Sequence, residues 1–555
     1  MRERLLKKRL PVQQKAQMMA NLKRNWYFPI SAMAYFCLNV DNTVGYCVGL
    51  PIVFMIMIVA ASQIPSAWSL IKERSVAEKI LCLSSAAGIC LGGQANFYKK
   101  TLRLALKSGL PETMDKLLLL VSCIGAACAL FFVFFCLLVF WKEMKRVTSG
   151  LGLTDNVNRK EWTIYALLLV MSLGFMAVSF TRSQAFYGTE FSYNIIYTSD
   201  STSLVKENAY LVLTQSQNDL RQPLFSVFAA PFVGLPYLAA RLIGASASVW
   251  AILVNSVQIF MLYAANFMLA KMMKLDRVKR ICFMVLTACT YTQLLFTLMM
   301  EQYIIAYFWL IFCMYLIVER QRPNRIAIWG AGGTLLTSMI LLPFMSTRSP
   351  VKEFKAWFLD MVKYGLEFAA LLMCFCRFDV IFGFVSQMIQ LSVFTGKSVT
   401  FTDKIYQYTS FVNSCFAAPS AGINTTAEEY ITWQLNGAAG INFVGVLILA
   451  LVVFSAIWNR DKMSSRLAAV WVGFSVVILL GIGWGTKENG LILYALYFAW
   501  AFLVLLFQLV EKIQSRLNVE FILPAVTVLA AAGMLMVNVP AMMELLHFAI
   551  TCYPA

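Results

Sequence analysis

Residues 117–141 read LLLLVSCIGAACALFFVFFCLLVFW, an apolar run with no charged side chain. At about 1.5 Å of rise per helical residue, a run of this length crosses the roughly 30 Å of hydrocarbon in a bilayer. Backbone groups in hydrocarbon must find their hydrogen bonds within the segment, so the run reads as a helix. A β-barrel would instead show short strands of alternating polarity, and the sequence lacks them.

The same signature recurs on both sides. Candidate spans fall near residues 26–41, 46–66, 79–96, 116–141, 163–180, 246–270, 278–298, 301–318, 325–345, 366–395, 438–457, 466–484, 490–510 and 519–540. The expected fold is an all-α polytopic transmembrane bundle of about 13–15 spans, the 366–395 run counting as one span or two. Composition agrees: 60% of the 555 residues are hydrophobic and 13% charged, with a mean hydropathy of +0.70, outside the range of soluble domains.

Lys and Arg number 46 against 28 Asp and Glu, a net charge of +18. The basic residues lie in short clusters between apolar runs, a pattern that argues for cytoplasmic anchoring and against a nucleic-acid surface. Clusters at Lys142–Lys160, Lys271–Arg280, Arg320–Arg325 and Arg460–Arg466 set the expected inner face, and residues 1–25, with eight basic side chains through Arg24 against Glu3, join them there. No cleavable signal pattern follows, so the first span is expected to stay as an anchor. Residues 181–222, 397–437 and Gly485–Asn489 then fall outside.

The run at 223–243 is apolar enough to span, but a crossing there would move the 271–280 cluster to the outer face. Pro223, Pro231, Gly234 and Pro236 also make it a poor uninterrupted helix. It reads as a helix lying in or dipping into the outer interface, as does residues 352–367, where Phe354, Trp357, Phe358 and Met361 form one stripe. The expected organisation is a basic segment at 1–25, an accessory unit at 26–142 and a linker at 143–161. A core at 162–345 with outer loop 181–222 follows, then a C-terminal unit at 346–555 with outer loop 397–437.

Fourteen cysteines lie mostly within apolar runs, where Cys acts as a small hydrophobe, and one histidine, His547, leaves no zinc ligand set. Any metal would be a hard cation, Mg or Mn, on carboxylates. The outer loop 181–222 holds Asp200, Asp219 and Arg221, the last two abutting the interfacial helix at headgroup depth. Gly483–Gly490 presents Lys487 and Glu488, either as an ordinary turn or toward a lipid phosphate or sugar. Loop 397–437 combines Tyr406 and Trp433 with carboxylates, a combination suited to carbohydrate recognition. The central spans hold too few acidic residues for a proton or ion path.

The span leading into the Asp200 loop, the run Asn218-Asp219-Leu220-Arg221-Gln222-Pro223-Leu224-Phe225, and Ala229-Ala230-Pro231-Phe232 beyond it resemble the first outer loop of GT-C superfamily glycosyltransferases. Glu301-Gln302-Tyr303 and Arg320 extend that resemblance over about residues 160–325. The chain departs from the family pattern where Arg221-Gln222 replace a histidine and a proline, and in its four leading spans. The resemblance implies transfer of a sugar from a polyprenyl-phosphate donor to a glycan, lipid or protein acceptor at the outer face of a bacterial plasma membrane. Asp200, or second Asp219, would be the general base. Arg221 and Lys487 would hold the donor phosphate, and Glu301, Glu488, Tyr406 and Trp433 the substrates. A flippase or transporter for lipid-linked saccharides, and a polysaccharide polymerase or ligase, are the alternatives.

Overall fold

The computed structural model describes residues 16–40, 45–63, 67–93, 112–188, 195–213, 220–320, 324–339, 353–425, 431–487 and 490–555. These residues form an all-α bundle with one two-stranded hairpin, Ala421–Thr425 paired antiparallel with Ile431–Leu435. Nine described helices are long and apolar enough to cross a membrane, and ten if the bent pair Arg277–Cys289 and Tyr291–Leu298 counts as one. Wide apolar faces stay exposed, among them Leu167, Val170 and Met171 on one helix and Val528, Leu529 and Met536 on another. Apolar surface left open on helices of this length belongs against lipid, and the chain is a multi-pass membrane protein. Other expected runs form shorter described helices, such as Tyr27–Asn39 and Arg325–Thr334, of 13 and 10 residues.

Contacts divide the chain into two units. One comprises Met1–Ser149, Asn208–Gly244 and Val362–Phe384, the other Gly150–Glu207, Ala245–Met361 and Val385–Ala555. By contacts, residues 208–244 and 362–384 group with residues 1–149, and residues 385–555 with residues 150–207 and 245–361.

In the first unit, Tyr27–Asn39 packs on Glu112–Thr148 through Phe28, Tyr35, Phe132 and Phe135. Val76–Gly93 crosses Phe225–Leu242 so closely that a Cβ on Gly88 would stand 1.9 Å from the Gly234 carbonyl oxygen. Only small residues permit that approach, as in membrane helix pairs generally. The Phe225–Leu242 helix also corrects an expectation, since it runs unbroken through Pro231 and Pro236. Each proline removes one N–H from the ladder, a loss that packing neighbours offset in membrane helices.

In the second unit the helices run back and forth between two ends. Gly490–Leu517 and Tyr303–Arg320 form the centre, most of their residues buried, while Arg159–Arg182 and Ile522–Cys552 form the rim, most of theirs open. Side chains at the starts of helices mark where they begin. Asn158 accepts from the Glu161 amide, Asp276 from Lys279 and Asn442 from Gly445, each satisfying a donor that the helix leaves open.

One end of this unit gathers the basic linkers. Lys271 Nζ donates to the Asp155 carbonyl at 2.6 Å. Lys279 and Lys462 share the Glu511 carboxylate at 3.1 and 2.9 Å, and Arg516 lies over the Trp458 ring at 4.9 Å. Arg280 grips the fully buried Glu161 with two parallel bonds of 2.7 and 2.9 Å, and Tyr165 donates to the same carboxylate at 2.6 Å. Arg159–Arg182 rises from this end, and Ala247–Met272 returns to it alongside, tied by the Ser172–Tyr263 hydroxyl bond of 2.8 Å. Arg159–Arg182 therefore ends, and Ala247–Met272 begins, at the other end of the unit.

The run at 278–298 is not one straight span. It bends by 61° between Arg277–Cys289 and Tyr291–Leu298. Thr290 adopts extended dihedrals and caps the second piece, accepting from the Gln293 amide. Asn538, fully buried in Ile522–Cys552, holds the break by donating to the Cys289 and Phe416 carbonyls at 2.9 and 2.8 Å and accepting from the Ala418 amide at 2.8 Å.

Candidate functional site

At the end opposite the basic linkers, the backbone of Asp200 meets the carboxylate of Glu301, 101 positions away. Glu301 lies in the extended link between Tyr291–Leu298 and Tyr303–Arg320, buried like Leu298, Met299 and Met300 before it. Its Oε1 accepts the backbone N–H of Asp200. A carboxylate ahead of a helix is favoured by the positive end of the helix dipole. Tyr303, next on that helix, lies within electrostatic reach of both Asp200 and Glu301 and of Tyr494 and Tyr497. Its ring centroid stands 6.1 Å from that of Tyr494 and 5.0 Å from that of Tyr497.

The backbone leading into Asp200 is strained. Tyr197 has φ of 52° and Thr198 of 81°, left-handed values that are rare outside glycine and rarer for a β-branched residue. Such outliers persist where the surroundings over-determine them, and they concentrate at functional sites. Here the hairpin does the holding. The Trp433 amide donates to the Ile195 carbonyl and the Tyr197 amide to the Trp433 carbonyl, each at 2.7 Å. The Tyr197 hydroxyl bonds to that of Tyr291 at 2.6 Å and accepts from the Trp433 indole at 3.3 Å. Burial pushes the Tyr197 phenol up while the bonds from Tyr291 and Trp433 draw it down, and the net shift is upward, so the group stays neutral at physiological pH.

Beside this loop lies the turn Gly483–Lys487. Thr198 Oγ1 is 3.4 Å from where a Cβ on Gly490 would stand. Gly483 and Gly485 have φ of 75° and 77°, which glycine adopts without strain. The turn is tied to residues 394–396 by bonds of 2.9 Å from the Gly485 amide to the Phe394 carbonyl and from the Gly396 amide to the Gly483 carbonyl. Lys487 is exposed on it. Lys404, on Phe401–Ser414, reaches the same turn, its Nζ 3.5 Å from the Ile482 carbonyl. Two lysines therefore flank one glycine-rich turn, and the Trp484 indole donates to the Tyr494 hydroxyl at 2.9 Å, joining the turn to the tyrosines around Tyr303.

Of the residues singled out from the sequence, Asp200, Glu301, Trp433 and Lys487 belong to this end of the second unit. Trp433 is buried and braces Tyr197, and Tyr406 is half-buried on Phe401–Ser414. Arg221 lies in the turn before Phe225–Leu242 in the first unit. Asp219 and Glu488 lie outside the described residues. Among the described residues no group of three or more His, Cys, Asp or Glu side chains converges as a metal centre would.

Sequence reasoning missed Tyr197, Tyr291 and Tyr494 as site components. Tyr291 and Tyr494 sit in apolar runs where an aromatic reads as packing, and the positive φ at Tyr197 has no glycine or asparagine to announce it. Comparison of the chain with family models, curated proteins and solved structures finds no match.

Proposed function

We propose that the chain is a membrane glycosyltransferase of the GT-C type, moving a sugar from a polyprenyl-phosphate donor to an acceptor hydroxyl, with Asp200 as general base. The observation that carries the reading is the convergence of Asp200 and Glu301 on a strained, braced turn at the end of the unit away from the basic linkers. Asp200 takes the acceptor O–H proton as that oxygen attacks the anomeric carbon. The bond from that carbon to the phosphate oxygen breaks, and the polyprenyl phosphate leaves with its electron pair. Direct displacement inverts the anomeric centre. Lys487 and Lys404 supply positive charge for the departing phosphate. Glu301 positions Asp200 through its backbone amide.

A labelled polyprenyl-phosphate sugar in nanodiscs tests this. Asp200→Asn is expected to lower transfer by about 10²–10⁴-fold, the range for a lost general base. Asp219→Asn serves as the comparison for the second-choice base. Full transfer in both folded variants would end the enzymatic reading.

The 61° break at Thr290 favours a second reading, a flippase for lipid-linked saccharides, because transporters place broken helices at their binding sites. Movement of labelled lipid between leaflets that is unchanged in Asp200→Asn and absent in Asn538→Leu would favour it over transfer.

A further inference from the structure

A cavity in the second unit, of about 560 Å³, opens between Phe401–Ser414, residues 418–420, residues 435–442 and the start of the last central helix. Its size falls within the roughly 300–1,000 Å³ of small-molecule sites. The floor is formed by Phe411, Leu491 and Ile492, all buried. The walls carry Gln407, Ser410, Asn413, Ser420 and Asn436, and none of the lining residues is Asp, Glu, Lys, Arg or His. Among the described residues, none of these five side chains bonds to the protein, and Gln407 Oε1 is enclosed with no hydrogen-bond partner.

That chemistry selects a class of ligand. A carboxylate, phosphate or ammonium entering the cavity would give up hydration with no counter-charge to receive it. Amide side chains each offer a donor and an acceptor, and hydroxyls offer both from one atom, which matches neighbouring hydroxyls on a sugar ring. The apolar floor provides a surface for the ring's C–H face. One helix links this cavity to the Asp200 end: Phe401–Ser414 presents Lys404 to the glycine-rich turn, and three and more residues later presents Gln407, Ser410 and Asn413 to the cavity. Leu491 and Ile492 follow directly on Gly490, which neighbours Thr198.

We propose that this cavity binds an uncharged, hydroxyl-rich saccharide. Its designation as the acceptor site rests on the glycosyltransferase reading, whereas the binding itself does not. The test uses the full chain in nanodiscs on an array of neutral hexose and N-acetylhexosamine trisaccharides, printed beside uronate-containing and phosphorylated counterparts of the same backbones. Retention of at least one neutral series is expected, with the charged counterparts bound at least tenfold more weakly. Asn413→Leu should reduce that binding about tenfold. Asn436→Asp, at the exposed rim where folding is least at risk, should do so by placing a fixed negative charge at the mouth.

No retained neutral trisaccharide, equal retention of charged ones, or binding unchanged in both variants would overturn the proposal. Asp200→Asn separates the two readings, since it should stop transfer and leave array binding intact. Transfer without array binding removes the cavity's role alone. Array binding without transfer from any polyprenyl-phosphate sugar removes the enzymatic reading alone.

Discussion

The two ends of the second unit solve the problem of polar groups beside a membrane in opposite ways. At the basic end charges are matched: Arg280 meets Glu161 in a buried two-pronged bond, and Lys279 and Lys462 share Glu511. At the other end Glu301 receives a backbone amide, tyrosine and tryptophan hydrogen bonds run in a chain, and the backbone before Asp200 is bent into left-handed dihedrals. Matched charge stabilises an arrangement and leaves little for a ligand to gain. Strain held by a brace is tolerated where it positions a reacting group. Under the proposed function, one end supplies stability and the other chemistry.

The largest expected effect tests that assignment at the chemical end. Asp200→Asn should lower transfer by about 10²–10⁴-fold, equivalent to about 2.7–5.5 kcal/mol of barrier, while moving stability by no more than about 0.5 kcal/mol. A fall in thermal midpoint as large as the fall in activity would erase the distinction between the ends.

Next in size is the basic end. Arg280→Met leaves Glu161 buried without its cation and should destabilise the chain by about 3–5 kcal/mol. Adding Glu161→Gln should recover much of that loss, because an apolar and amide pair carries no stranded charge. Thermal midpoints of the single and double variants read this directly. A single variant as stable as the parent would mean that the buried pair contributes nothing beyond packing.

These ends were not equally legible in the sequence. Clusters at 271–280 and 460–466 announced themselves by composition, and the contacts of Lys271, Arg280, Lys279 and Lys462 place them, with residues 155–156, at one end of the unit. Asp200 and Glu301 were legible as residue types flanking spans. Their meeting was not, because it depends on the Thr290 break and on a hairpin inside what reads as a polar loop. The break is invisible in the run Ala288-Cys289-Thr290-Tyr291, which has no glycine or proline. Its cause lies in Asn538 and Phe416, more than a hundred positions away. The neutral cavity was also hidden, since Gln407, Asn413 and Asn436 are unremarkable loop residues until the fold turns them toward one space.

Asn538 gives the third prediction. Asn538→Leu removes the partner of the Ala418 amide and of the Cys289 carbonyl, and an unsatisfied buried backbone group costs about 1–3 kcal/mol. The thermal midpoint should fall accordingly, and the buried Cys289 should react faster with a membrane-permeant thiol reagent. Unchanged labelling of Cys289 would show that the break holds without its clamp and that the path of the chain into Glu301 is set elsewhere.

The smallest effect is the most discriminating. Thr198 stands at φ of 81°, where an L side chain is crowded and glycine is not. If the strain only accompanies the fold, Thr198→Gly should raise stability by about 1 kcal/mol and leave transfer unchanged. If the strain positions Asp200 against the acceptor, the same substitution should still stabilise the folded chain but loosen the turn. Transfer would then fall several-fold, with the acceptor KM unchanged because the neutral cavity lies on other residues. We expect the second pattern, since Trp433 and Tyr291 hold Tyr197 from two sides and leave Thr198 as the last joint before the carboxylate. A variant that gains stability and keeps its full rate would show that this turn is shaped by packing, and the chemical end would then resemble the basic end more than the contrast between them allows.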